Sequence, residues 1–303
     1  MKYSNKMLSI VVCTYNRKNL LENCLNSIVQ QIDVDMACLV DMIVVDNNSG
    51  DDTQKFVVSL AKIYPWISYV QERKQGLSHA RNRGSEESAS LYLCFLDDDS
   101  VIVDGYISNV LTALMDESPD ILGGPIFPFY VSEKPWWFKD NYETRCHSSK
   151  SGYADCPISG GNYVIKKDLL VALGGFSSDF GMVATTLSLG EDRELLERYR
   201  AATPADKRKI FYSLECSVKH LVPAHKMTIS YFIKRAFSSG VMYAKISHSV
   251  GCDILSRSDI KRIPLTRRII ETKSFADGLF RTIHYVFRNA GFLISRLRLK
   301  YFK

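Results

Sequence analysis

Two rhythms of apolar and polar positions run along this chain. Leu8 to Cys13, Asp41 to Val45, Ile67 to Gln71 and Leu91 to Leu96 are short apolar or β-branched runs bounded by polar turns, the pattern of strands. Between them, Leu21, Cys24, Leu25 and Ile28 within Leu20 to Ile32, and Phe56, Val57, Leu60 and Ala61 within Gln54 to Tyr64, recur at helical spacing, and Leu77 to Ser88 is compatible with a helix. Strands alternating with helices predict an α/β domain with a largely parallel sheet. Thr53, after the turn Gly50-Asp51-Asp52, is the expected N-cap of the second helix.

From Leu122 to about Ile158 the rhythm breaks, because Pro125, Pro128, Pro135 and Pro157 interrupt a stretch that carries Trp136, Trp137, Phe138 and Tyr142. Regular structure is expected again at a strand from Tyr163 to Ile165, at a helix near Lys167 to Leu173 ended by Gly174-Gly175, and at a helix from about Glu191 to Arg200. After Pro223, Ile229, Phe232, Ile233, Ala236, Phe237 and Ala244 share one helical face; a polar link over 252–264 and a final helical stretch follow. The expected organisation is a catalytic domain over 1–228, with 125–158 as an aromatic, Pro-rich insertion, and a basic helical region over 229–303.

The composition, 46% hydrophobic and 24% charged over 303 residues, is that of a globular protein and excludes collagen-like or disordered chains. Charge changes the picture more. Of the net +6, residues 261–303 hold eleven Lys or Arg against Glu271 and Asp277, so the rest of the chain is slightly acidic and no nucleic-acid partner is expected. The eight cysteines form no C-x-x-C pair, which argues against a zinc ribbon or redox dithiol. Cys13, Cys38 and Cys94 lie in or beside apolar runs, as small hydrophobes do, which favours a reducing compartment. The apolar run Met7 to Val12 is too short for a signal-peptide core, and no charge-free segment approaches the roughly 20 residues of a membrane span. A cytoplasmic protein is expected.

Three acidic stations carry the chemistry. Asp97-Asp98-Asp99 follows the apolar strand Leu91 to Leu96, at the end of a sheet strand where open α/β folds bind ligands. Adjacent carboxylates repel unless solvated or holding a cation, and oxygen ligands suit Mg²⁺ or Mn²⁺. Val44-Val45-Asp46-Asn47-Asn48-Ser49-Gly50 ends another strand in an acid that could meet a base or ribose, although such turns also simply end strands. Gly190-Glu191-Asp192 enters a predicted helix, where acids also serve the helix dipole. Together the three suggest a metal-diphosphate site with a separate general base.

This combination resembles family 2 of the glycosyltransferases over residues 8 to about 240. The resemblance implies the GT-A fold, a Rossmann-like, mostly parallel mixed sheet flanked by helices, here with a C-terminal helical extension. Ser9 to Arg17 is similar to the family's opening strand and nucleotide-contacting turn, which implies Thr14, Tyr15, Asn16 and Arg17 at the donor, with Cys13 where Pro is usual. Asp46 resembles the acid that contacts the nucleobase, and Gln75 to Gly84 implies Arg81 and Asn82 as nucleotide or phosphate contacts. Asp97, Asp98 and Asp99 match the D-x-D element, with Asp97 on ribose or metal and Asp99 on the metal. Gly160-Gly161-Asn162 and Gly174-Gly175-Phe176 are similar to segments lining the sugar and acceptor site, and Glu191-Asp192 to the motif whose Asp is the catalytic base of inverting members. His220 in Val218-Lys219-His220 resembles a histidine that completes the metal shell.

The implied activity is inverting, metal-dependent transfer of a sugar from a nucleotide-diphosphate donor, a UDP-sugar above all, to a carbohydrate or polyprenyl-linked acceptor in surface polysaccharide assembly. Nucleotidyltransferases share such sheets and aspartates, but a Gly-rich phosphate loop is missing between Cys13 and Lys18. A non-catalytic module of the same fold is the other alternative. Trp136 and Trp137 suggest an acceptor-side flap over 125–158. Leu279, Ile283, Val286, Phe287, Ala290, Leu293, Ile294, Leu297 and Tyr301 trace a helical stripe among Arg281, Arg288, Arg296, Arg298 and Lys300. Such a helix binds an anionic membrane surface or packs on the catalytic domain; the expected acceptors tip the reading towards a peripheral membrane protein.

Overall fold

The computed structural model describes residues 6–184, 187–251 and 275–301. The strands β1 (Leu8–Thr14), β2 (Val40–Asp46), β3 (Ile67–Gln71) and β4 (Tyr92–Asp97) lie parallel in the order β3-β2-β1-β4. The sheet continues through β9 (Asn162–Lys166), antiparallel to both β4 and β6 (Ile121–Gly123), then β10 (Ile210–Tyr212) and β8 (Gly152–Tyr153). A second sheet has β11 (Val218–Leu221) between β5 (Ser100–Ile102) and β7 (Ile126–Phe129). The mixed α/β architecture is the one expected.

Period-two geometry explains why the strands read as unbroken apolar runs. Ile10, Val12, Met42, Val44, Cys94 and Leu96 face one core, with Leu21, Leu25 and Ile28 of α1 (Lys18–Val29) and Ile107, Val110 and Leu114 of α5 (Tyr106–Glu117). Val11, Ile43, Val45, Leu93 and Phe95 face the other, with Ala80 of α4 (Leu77–Glu87), Leu170 of α6 (Lys167–Ala172) and Leu195 and Leu196 of α7 (Glu191–Ala202). Between these helices in the chain lie α2 (Met36–Leu39) and α3 (Thr53–Ile63).

Three expectations need adjustment. Thr53 is the first residue of α3 and Asp52 its N-cap; the Thr53 N–H is accepted by the carboxylate of Asp51. Cys38 sits exposed on α2, unlike buried Cys13, Cys24, Cys94, Cys156 and Cys216. The 125–158 stretch is not one irregular insertion, because β7 and β8 lie within it and Arg145 bridges to Ile126. Within it Trp136 is 87% exposed whereas Phe138 is buried, with Trp137 stacked edge-on against it. The polar link expected over 252–264 lies outside the described residues.

The described residues form two compact units. One runs to Phe129, from Asp140 to 184 and over Glu191–Leu221; the other comprises Tyr130–Lys139, 187–190 and the residues from Val222 onward. In the second unit α8 (Ile229–Val250) pairs with α9 (Phe275–Tyr301). No helix among the described residues is long and apolar enough to cross a membrane.

Leu25 is fully buried in the first core. Leu25→Ala should therefore lower unfolding free energy by about 2–5 kcal/mol in denaturant titration.

Candidate active site

The carboxyl ends of β1, β2 and β4 point to one edge of the sheet, and the first two loops there are stitched together. Asn47 N–H donates to the Thr14 carbonyl (2.8 Å), Gly50 N–H to Asn16 Oδ1 (2.7 Å), and Asn16 N–H to Ser49 Oγ (2.9 Å). Asp46, 1% exposed, accepts from Ser49 N–H (2.8 Å) and from the Tyr69 hydroxyl (2.9 Å). The next loop hangs on Asn47: its Nδ2 donates to the carbonyls of Glu72 and Lys74, and its Oδ1 accepts from Gly76 N–H. Tyr15 is half-buried here, while Asn16 and Arg17 are exposed.

The three consecutive aspartates diverge. Asp98 turns back to β1, where its two oxygens accept from Thr14 Oγ1 (2.8 Å) and Arg17 Nη1 (3.1 Å). Burial and the Asp99 charge push its carboxyl up to about 6, against the pull of Arg17. Asp97 and Asp99 turn to His220, and the ligand atoms of these three lie within 4.8 Å of one another. The second sheet makes this meeting: β5 begins immediately after Asp99, and β11 pairs with it so that His220 lies opposite Ser100. Leu221 N–H donates to the Asp99 carbonyl (2.9 Å), and His220 Nε2 is 3.1 Å from Asp99 Oδ1. Two carboxylates and an imidazole at this spacing fit a hard divalent cation such as Mg²⁺ or Mn²⁺.

Arg81 ties the remaining station to this edge. Its side chain is 3% exposed, pairs with Glu191 Oε1 (2.8 Å) and Asp97 Oδ1 (3.2 Å), and donates to the Gly160 carbonyl (3.1 Å). The rings of Phe95 and Phe176 flank it, with centroids 6.0 and 5.3 Å from Cζ. Gly160 in turn donates its N–H to Asp192 Oδ2 (2.6 Å), and Arg193 N–H donates to Oδ1 (2.7 Å). An added Cβ at Gly161 would overlap Asp97 Oδ2, so a side chain there would push the Asp97 carboxylate aside. Asp192 and Asp97 are thus gathered around the Gly160-Gly161 step although 95 positions separate them in the sequence.

Several groups expected to face a ligand are engaged by protein instead. Arg81 faces carboxylates, and Asn82 pairs in both directions with the Phe176 main chain (both 2.8 Å). Asn162 is fully buried, accepting from the Tyr106 hydroxyl (2.7 Å) and donating to the Cys216 carbonyl (2.8 Å), so it braces β9 rather than lining a pocket. Sequence reasoning assigned no role to Asn47 or Tyr69, and placed Gly160 only within a segment lining the sugar and acceptor site. The first sits in the turn already singled out, but nothing local marks Tyr69, whose role depends on strand register.

The pairing with Arg81 makes its removal costly. Arg81→Met should destabilise by about 3–5 kcal/mol at alkaline pH, where Glu191 is left ionised, buried and uncompensated, and Glu191→Gln in the same chain should recover much of that loss. Burial pushes the Glu191 carboxyl up to about 7 even beside Arg81. Without Arg81 that carboxyl is raised further, so the deficit of Arg81→Met should be largest at alkaline pH, shrink as pH falls towards about 7, and level off below it, where Glu191 is neutral with or without Arg81. Thermal melts across pH check both statements.

The comparisons agree with this architecture. The family model for glycosyl transferase family 2 matches residues 9–177. A GalNAc(5)-diNAcBac-PP-undecaprenol beta-1,3-glucosyltransferase of Campylobacter jejuni is 28% identical over 175 residues, 57% of this chain and 55% of its own length. Glycosyltransferase GlyA of Streptococcus pneumoniae is 26% identical over 147 residues, 48% of this chain and 20% of its own length. The succinoglycan biosynthesis protein ExoM of Rhizobium meliloti is 27% identical over 244 residues, 79% and 74% respectively. The chain thus spans between a fifth and three quarters of these relatives. Among solved structures, the mannosyltransferase PcManGT of Pyrobaculum calidifontis, in complex with GDP-Man and Mn²⁺, aligns with a TM-score of 0.62 at 17% identity, covering 99% of this chain and 88% of that one. S. aureus TarS in complex with UDP-GlcNAc aligns at 0.59 and 12%, covering 98% and 93%. These likenesses establish the GT-A fold. With more than half its length under the family model, the chain belongs to glycosyl transferase family 2.

Proposed function

We propose that this protein is an inverting, metal-dependent glycosyltransferase that moves one sugar from a nucleotide-diphosphate donor, a UDP-sugar, to a carbohydrate or polyprenyl-linked acceptor in glycan assembly. The observation that carries the reading is the Asp192 carboxylate, held by two main-chain N–H groups beside the Gly160-Gly161 step that also carries Asp97. Nucleotide-sugar complexes of PcManGT and TarS support the donor class, and the names of the Campylobacter and Rhizobium relatives support the acceptor class.

The two main-chain donors fix where the Asp192 carboxylate points, which suits a general base. Asp192 takes the proton of the attacking acceptor hydroxyl as that oxygen reaches the anomeric carbon from the face opposite the leaving diphosphate; one such displacement inverts configuration. Asp97, Asp99 and His220 would hold a divalent cation, which when bound neutralises charge on the diphosphate. Thr14 and Arg17 keep Asp98 turned away from that set. Arg81 and Asn82 act through positioning: the first aligns Glu191 and Asp97, the second fixes Phe176. Exposed Trp136 offers a flat apolar face suited to an acceptor sugar ring.

Asp192→Asn should slow transfer by about 10²–10⁴-fold with donor affinity unchanged, measured by nucleoside diphosphate release and donor titration. Proton NMR of the product should show the anomeric configuration inverted; retention would reject the mechanism. His220→Ala should raise the Mn²⁺ concentration needed for half-maximal donor binding while leaving the maximum close to wild type. Tryptophan emission should change on adding acceptor, and Trp136→Phe should remove that change.

A further inference from the structure

The helix α9 buries a face of mostly small residues against α8 and leaves a face of large apolar residues exposed. In α8, Ala236, Gly240 and Ala244 are buried at four-residue spacing; in α9 the buried residues are Gly291, Phe292 and Ser295. These small residues bring the two backbones into contact: an added Cβ at Gly240 would overlap the Arg288 carbonyl, and one at Gly291 the Phe237 carbonyl. At about 100° per residue, Val286, Leu293 and Leu297 lie roughly 150° around the helix from that buried face. They are exposed by 51%, 59% and 56%, and Phe287 and Ile294 extend the same patch. The stripe read from the sequence is therefore not the face that packs against α8. Large apolar side chains on an exposed helix face mark an interaction surface. Exposed Arg296 and Arg298 flank it on its two sides, and the segment 261–303 is the basic part of the chain.

We propose that the solvent face of α9 docks the protein on an anionic lipid surface, with Val286, Leu293, Ile294 and Leu297 entering the headgroup boundary and Arg296 and Arg298 meeting acidic headgroups. Charge complementarity selects this occupant: an apolar stripe bordered by cations fits anionic lipid, whereas two copies of the same face would bring like charges together. The alkyl stems of the flanking arginines cover apolar surface while their heads stay at the polar level. This stands apart from the transfer reaction, since the surface is bound and not converted.

The test is co-sedimentation of the full chain with phosphatidylcholine vesicles containing about a third phosphatidylglycerol, against phosphatidylcholine alone, at low and high salt. Wild type should bind the anionic vesicles preferentially and more weakly at high salt. Leu293→Glu/Leu297→Glu should bind about tenfold more weakly or worse, with unchanged circular dichroism, because both positions are solvent-exposed. Should that variant fail to fold, Arg296→Glu/Arg298→Glu supplies the same reading through charge. The proposal is overturned if wild type ignores anionic vesicles at low salt, if a folded variant of either kind sediments like wild type, or if the leucine variant abolishes a concentration-dependent dimer and vesicles bind neither form.

Discussion

The arrangement at the sheet edge depends on one buried cation. Arg81 lies on α4, Asp97 ends β4, Gly160 precedes β9 and Glu191 opens α7, and the single guanidinium touches all three of the others. A planar fork with five donors can do this; an ammonium, with one small charged centre on a flexible stem, could not reach the same set with the same directions. Its burial between Phe95 and Phe176 removes competing water, which strengthens each pairing and also makes the group intolerant of losing a partner. The position of Asp192 follows from this tie at one remove, because Gly160, whose carbonyl accepts from Arg81, donates its own N–H to Asp192.

Electrostatics then explains how three consecutive aspartates coexist. Strand alternation alone would send Asp97 and Asp99 to one side and Asp98 to the other, and the structure keeps that divergence through the turn into β5. Asp98 is compensated locally by Thr14 and Arg17. Asp97 and Asp99 face His220, the set whose ligand atoms lie close enough to hold a cation. Two separate sheets are needed for it, since β4 belongs to the large sheet and His220 arrives on the small one.

Much of this was legible in the sequence, for identifiable reasons. Strands β1, β2 and β4 were readable because burial on both faces makes them nearly unbroken apolar runs, and α1 and α3 because each carries an apolar stripe, whereas α4 buries mostly Ser78, Arg81, Gly84 and Ser85 and shows none. The acids were readable because they end those strands. What escaped depends on pairing between distant segments: the three-stranded sheet is built from pieces only three or four residues long, too short to show a period. The places of Arg81, Asn82 and Asn162 followed from position in a motif; their partners within the protein, Glu191, the Phe176 main chain and the Cys216 carbonyl, are encoded by no motif.

The same limit explains the C-terminal stripe, where the sequence posed a choice between packing and lipid. A hydrophobic-periodicity argument assigns one apolar face to one helix, and large residues dominate it. Helix contact in α8 and α9 runs instead through Gly240 and Gly291, which carry almost no hydrophobic weight, so the contact face is nearly silent in such a reading. Close backbone approach gains dispersion contacts that compensate for the small side chains. The pairing therefore leaves the large apolar residues outward, and both readings of the stripe turn out to concern different faces of one helix. A helix that needed Val286, Leu293 and Leu297 for its own docking could not offer them to anything else; packing through glycine is what leaves that face available.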